Sequence, residues 1–328
     1  MTAGGWATGK RDALTDVPGI RVGHWTDRRA ATGCTVIMCE TSNAVAADVR
    51  GGAPGTREID VLAPANVVRR CDAVLLSGGS AFGLAAATGV VRWCAEREIG
   101  FATTAGRVPI VSGAVIFDLG VGKPAFPGDA EGYAAASAAK AGAVAQGSVG
   151  AGAGATVAKL LGIEWCCKGG LGTASVAGPR GLVVGALVVT NAVGHIFDPE
   201  TGALVAGPRD PAGGFVPLAE ALGRRQANMD ALVAENTTLV CVATNARLEH
   251  HAMQRVAYQA HDGLARTIVP CHTFADGDTA FAISMGQVEA TPEDSLIVGA
   301  MTVHAVERAV LKSVRLARPL AGVPAVTA

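Results

Sequence analysis

Glu235-Asn236-Thr237-Thr238-Leu239-Val240-Cys241-Val242-Ala243-Thr244 is a polar junction that gives way within four residues to an unbroken apolar run. Val240 and Val242 favour extended backbone, and an apolar run without polar alternation predicts a strand covered on both faces. Such a strand belongs at the centre of a layered protein of α/β or α+β class. The flanking sequence fits that placement. Downstream, the spacing predicts an amphipathic helix over 248–264, a strand over 279–285 and a helix over 300–316. Upstream, residues 182–184 and 186–190 read as buried strands ending on Asn191; 20–25, 35–38 and 73–76 read as further strands, and 81–98 as a helix. Residues 134–161 are dominated by Gly and Ala without a fixed repeat, and read as close-packed helix and strand rather than linker. Gly207-Pro-Arg-Asp-Pro-Ala-Gly-Gly214 is the strongest breaker cluster, and a polar helical pattern over 217–235 follows it. If the chain is cut anywhere, this exposed neighbourhood is where the cut is expected.

Composition narrows the ligand. Of 328 residues 50% are hydrophobic but only 4% aromatic, and 43 are Gly, so the core is built from Ala, Val, Leu and close backbone approach. With 27 basic and 28 acidic residues the net charge is −1, which offers no footprint for nucleic acid or an acidic membrane surface. A small-molecule or peptide ligand fits better. The eight cysteines form no CxxC pair and read as reduced core residues. No metal is expected: His250, His251 and His272 lack the H-E-x-x-H arrangement, and Asp276-Gly-Asp278 lacks the further carboxylates of a calcium loop. No cofactor is expected either, since the Gly-rich segments 150–159 and 168–173 satisfy neither the Walker nor the Rossmann pattern. The N-terminal residues lack the apolar core of a secretory signal, and every apolar run is broken before membrane-spanning length; a cytoplasmic location is the expectation.

The junction also carries a chemical option. A Thr hydroxyl is a poor nucleophile without an adjacent base, and its own α-amino group, with a reference pKa of about 7.7–8.0, can serve only if Thr is the first residue. For Thr237 that requires scission after Asn236. Taken alone, Asn-Thr-Thr also reads as a turn entering a strand, Asn191 as a strand-end cap, Asp276-Gly-Asp278 as a hairpin turn and Lys159 as a surface lysine. Gly78-Gly-Ser-Ala-Phe-Gly83 approaches a serine nucleophile elbow, but Phe82 stands where the final Gly belongs, so Ser80 is not expected to be catalytic.

Six segments, in order, carry a resemblance that spans Leu14 to about Thr302: Leu14-Thr-Asp-Val-Pro-Gly-Ile-Arg-Val-Gly-His24, Arg50-Gly-Gly-Ala-Pro-Gly-Thr-Arg-Glu58, Leu76-Ser-Gly-Gly-Ser-Ala-Phe-Gly-Leu84, Lys168-Gly-Gly-Leu-Gly-Thr-Ala-Ser175, His261-Asp-Gly-Leu-Ala-Arg-Thr267 and His272-Thr-Phe-Ala-Asp-Gly-Asp-Thr279. The chain resembles the DmpA/NylC family of self-processing aminopeptidases and amide hydrolases. That resemblance implies an αββα sandwich like those of N-terminal nucleophile hydrolases, formed as one domain over 1–328. It implies self-cleavage between Asn236 and Thr237 into an α chain, 1–236, and a β chain, 237–328, which stay associated, and a homo-oligomer, as a tetramer of αβ units. Carried over by position, Thr237 matches the nucleophile, Asn191 the oxyanion-binding Asn, and Asp276 and Asp278 the paired acidic residues. Lys159 matches the supporting Lys, with Lys168 as competitor. Phe117 matches a Tyr near the substrate, so a donor hydroxyl is absent here. Two other readings remain: an acyltransferase of the ornithine acetyltransferase type, and an unprocessed binding protein of the same fold.

Overall fold

In the computed structural model, which describes residues 5–226 and 235–326, the strand Thr237–Arg247 is buried at every position but Arg247. Period-two alternation sorts its side chains. Leu239, Cys241 and Ala243 enter one core with Leu187, Val189, Phe281 and Ile283 from adjacent strands and with Ile37, Val74 and Leu76 from a facing sheet. Val240, Val242 and Ala246 enter a second core with Met253, Val256, Ala260 and Leu264 of helix His250–Thr267 and Val298, Met301 and Val306 of helix Pro292–Arg315. Burial on both faces explains why the run is continuous rather than alternating.

The strand sits inside a six-stranded sheet ordered Ala7–Thr8, Gly170–Ala177, Val183–Asn191, Thr237–Arg247, Thr279–Glu289, Ala44–Val49. Only its pairing with Thr279–Glu289 is parallel. The second sheet has five strands, Arg21–Asp27, Thr32–Met38, Ala73–Ser77, Val111–Val115 and Thr56–Arg57, covered on its outer face by helices Ala86–Ala95 and Asp129–Ser137. Helix, sheet, sheet and helix form the αββα sandwich. Glycine sets how closely its layers approach: a Cβ on Gly89 would lie 1.8 Å from Asp129 O, and one on Gly132 1.9 Å from Ala86 O, so the two outer helices meet backbone to backbone.

Two segment readings change, and a third is described only in part. The helix expected over 81–98 opens as a 3₁₀ turn, Ser80–Ala85, because Gly79 (φ 85°) and Ser80 (φ 53°) turn the chain sharply out of strand Ala73–Ser77; α-helix runs only Ala86–Ala95. The stretch 134–161 is mostly irregular after Ser137, with a 3₁₀ turn Gly150–Gly152 and a two-residue strand Thr156–Val157. Its glycines let it thread through the interior: a Cβ on Gly152 would meet Leu171 N at 2.3 Å, and one on Gly154 would meet Ala31 O at 2.3 Å. The helix over 217–235 is present as Leu218–Gln226, while 227–234 lie outside the described residues. Among the described residues no helix is long and apolar enough to cross a membrane, and the eight cysteines are free thiols, all buried except the partly exposed Cys271.

Candidate active site

The antiparallel register opposes Thr237 to Asn191 at the ends of neighbouring central strands, and a parallel bridge joins Asn236 to Asp276 just ahead of Thr279–Glu289. Topology thus brings 191, 236–238 and 276–278 to one sheet edge. Thr237 Oγ donates to Asn236 O at 2.5 Å, and Gly277 N–H donates to the same oxygen at 2.8 Å. The carbonyl before Thr237 is therefore polarised by two donors. Gly277 has no room for a side chain, since a Cβ there would lie 2.8 Å from both Thr237 Oγ and Ala53 O.

Lys159 closes one side. Its Nζ donates to Asn191 O at 3.0 Å, Asn191 Oδ1 at 3.1 Å and Glu235 O at 3.1 Å. Burial of that ammonium end pulls it down to about 8, against the opposing fields of Cys166, Asp276 and Glu235. Lys168, the competitor, spends its donors elsewhere, on Gly152 O, Ala155 O and Gly169 O at 3.1, 2.6 and 2.9 Å, and is fully buried. It ties the irregular interior segment together; Lys159 is the lysine at the junction. Asn191 Nδ2 donates to Phe117 O at 3.1 Å and Glu235 O at 3.2 Å, while its Oδ1 accepts Thr156 N–H at 2.9 Å. Thr156 and Lys159 together fix which end of the amide faces the junction.

Both carboxylates are buried, each 1% exposed. The hairpin alternative for 276–278 does not hold, because Asp276 bridges to Asn236 instead of turning the chain back. Asp276 Oδ2 accepts Thr273 N–H at 2.9 Å and Thr273 Oγ at 2.5 Å. Burial, reinforced by the neighbouring Asp278, pushes Asp276 up to about 6. Asp278 Oδ1 accepts Thr238 N–H at 2.5 Å, and its Oδ2 accepts His272 N–H at 3.0 Å and Nδ1 at 2.7 Å. The loop 50–53 backs the pair through Arg50 N–H to Asp278 O at 3.0 Å and Ala53 N–H to Asp276 O at 2.8 Å. A cavity of about 660 Å³ opens beside Asn236, walled by Lys159, Leu160, Ile163, Trp165, Val193 and Arg209 among others.

The five residues singled out from the sequence as catalytic thus gather around residues 235–238: Lys159 and Asn191 reach Glu235 O, Asp278 takes Thr238 N–H, and Asp276 joins Asn236 through its backbone bridge. Phe117 enters through its carbonyl, with a half-buried ring that carries no donor. Sequence reasoning missed the roles of three groups. Gly277 N–H and Phe117 C=O act through backbone, which leaves no side-chain trace; His272 was visible in its His-Thr motif but not as the partner of Asp278. Among the described residues no group of three or more His, Cys, Asp or Glu side chains is placed to hold a metal ion.

The chain is similar to known proteins over most of its length. An uncharacterized aminopeptidase of Mycobacterium leprae is 46% identical over 352 residues, covering 95% of this chain and 92% of the relative. The 6-aminohexanoate-oligomer endohydrolase of a Kocuria species is 32% identical over 305 residues, covering 91% and 82%. The L-aminopeptidase D-Ala-esterase/amidase of Ochrobactrum anthropi, described as a new variant among the Ntn hydrolase fold, superposes with a TM-score of 0.70 at 20% identity over 95% of this chain and 88% of that one. At that identity the likeness speaks to the fold, which is the αββα sandwich described above. The model of peptidase family S58 matches residues 12–328, so the chain belongs to that family and its chemistry is the hydrolysis of peptide and other amide bonds.

Proposed function

We propose that the chain cuts itself between Asn236 and Thr237 and then hydrolyses small peptides or amides with Thr237, now the first residue of its chain, as N-terminal nucleophile. The observation that carries the reading is the Asn236 carbonyl, held between Thr237 Oγ at 2.5 Å and Gly277 N–H at 2.8 Å. Thr237 Oγ adds to the Asn236 carbonyl carbon, with Gly277 N–H stabilising the oxygen as it gains charge. Collapse breaks the C–N bond, leaves an ester on Oγ and frees the Thr237 amine, whose nitrogen takes up the proton that Oγ gave up. Water hydrolyses the ester and gives residues 1–236 and 237–328. In the mature protein the α-amine accepts the Oγ proton and the Oγ attacks a substrate carbonyl; the substrate C–N bond breaks, the leaving amine takes that proton, and water then hydrolyses the ester left on Oγ. Departure of Glu235 O from Asn191 Nδ2 frees that amide to donate to the new oxyanion. Lys159, Asp276 and Asp278 set protonation and orientation around the amine. The cavity beside Asn236 receives the substrate, and the names of the relatives support N-terminal aminoacyl amides and aminohexanoate oligomers as the first compounds to assay.

Mass spectrometry of denatured protein, paired with an amide-hydrolysis assay, tests this. Wild type is expected as two fragments, and Thr237→Ala as one inactive species of 32.9 kDa. A wild-type chain that stays whole yet hydrolyses amides, or a fully active Thr237→Ala, would sink the mechanism.

A further inference from the structure

His272 holds a backbone conformation unusual for a residue with a side chain, φ 54°. The result is that its main-chain N–H and its Nδ1 reach the same acceptor, Asp278 Oδ2, at 3.0 and 2.7 Å, while the other Asp278 oxygen takes Thr238 N–H at 2.5 Å. Asp278 is thereby tethered between an imidazole and the second residue of the nucleophile strand. Asp276, two positions earlier, receives at its carboxylate, among the described residues, the neutral donors of Thr273. Two carboxylates so close and so buried do not both stay ionised at low cost unless a cation stands beside one of them. We infer that His272, as an imidazolium, is a positioning residue that fixes Asp278 as the permanently ionised member of the pair and leaves Asp276 as the member that takes up and returns a proton.

The surrounding charges agree. Lys159 reaches Asp276 through its field, and His261, on helix His250–Thr267, stands edge-on to His272 at 4.7 Å between ring centroids. His261 Nε2 meets Asp48 O at 3.2 Å, and the Asp48 carboxylate is paired with Arg50 at 2.9 Å. Burial, and after it the neighbouring His272, pulls His261 down to about 3, so only one of the two facing rings carries charge. Burial also works against the His272 imidazolium, but the bond to Asp278, with Cys271 alongside, outweighs it and pushes His272 up to about 10.

The role rests on Thr237 being the nucleophile, but the ion pair can be tested apart from it. In ¹⁵N NMR of wild-type protein both His272 ring nitrogens are expected to stay protonated at pH 8; a neutral ring at pH 7 overturns the inference. That measurement reads the same whether or not mass spectrometry finds Thr237 at a chain terminus. In the pH profile of amide hydrolysis, His272→Gln is expected to move the acid limb upward by about one unit, with KM little changed, because removing the cation raises the proton affinity of the acid pair. His272→Asn, which tolerates the left-handed backbone better, is expected to do the same. An acid limb that stays fixed while kcat falls equally at every pH would mark His272 as merely structural and overturn the role.

Discussion

One hydroxyl and one main-chain N–H hold the Asn236 carbonyl, and the groups around them decide when the hydroxyl can give up its proton. Lys159, drawn down to about 8, loses its proton as pH rises through that value; Asp276, pushed up to about 6, becomes a carboxylate as pH rises through its own. Both changes favour accepting a proton from Thr237, so self-cleavage is expected to accelerate from pH 6 to above 8. Precursor made by cell-free synthesis and sampled on denaturing gels measures this, and a flat profile from pH 5.5 to 9 counts against it. Lys159→Arg keeps the charge but cannot become neutral, and is expected to slow cleavage by about 10²-fold or more. By their own sequence Thr237, Asn191, Lys159, Asp276 and Asp278 read as a turn, a cap, a surface lysine and a hairpin; the family resemblance, carried over by position, is what singled them out. The remaining contacts depend on where backbone groups and a left-handed histidine end up, and no residue identity encodes that by itself.

At the scale of elements, the strands were read more securely than the Gly-rich interior. Continuous runs such as 239–243 announce a strand buried on both faces, because each side chain must be apolar whichever layer it meets. Residues 134–161 look like helix by their alanines, yet after Ser137 the glycines are used for backbone passage between layers, a purpose that composition does not separate from helix packing. The same residue type sets the crossing of Ala86–Ala95 and Asp129–Ser137. Gly89→Ala or Gly132→Ala would force a methyl against a carbonyl oxygen that neither helix can withdraw without moving as a whole. Each substitution is expected to destabilise by about 1–3 kcal/mol, seen as a lower urea midpoint. Both sites are far along the chain from the Thr237 strand, so self-cleavage in the folded fraction is expected to proceed normally. An unchanged midpoint in both variants would mean that the helices are not in backbone contact.

Across the whole molecule, the proposed cut falls where it separates chain connectivity from sheet connectivity. Thr237–Arg247 pairs with Val183–Asn191 on one side and with Thr279–Glu289 on the other, and Thr279–Glu289 in turn pairs with Ala44–Val49. The segment after the cut therefore supplies two interior strands of the six-stranded sheet, flanked on both sides by strands from the segment before it. It also supplies the whole helical layer over that sheet, His250–Thr267 and Pro292–Arg315, whose apolar faces share one core with residues such as Val176, Val184 and Val188. Residues 1–236 keep by themselves the core between the five-stranded sheet and its two helices, but the two cores that flank the six-stranded sheet draw on both fragments, so residues 1–236 and 237–328 are expected to co-elute in gel filtration as one unit. Their separation should require denaturant and coincide with loss of helical circular dichroism, since the surfaces that join them are interior surfaces of the fold. Two fragments that part in native buffer while each keeps its secondary structure would refute this account of the sandwich.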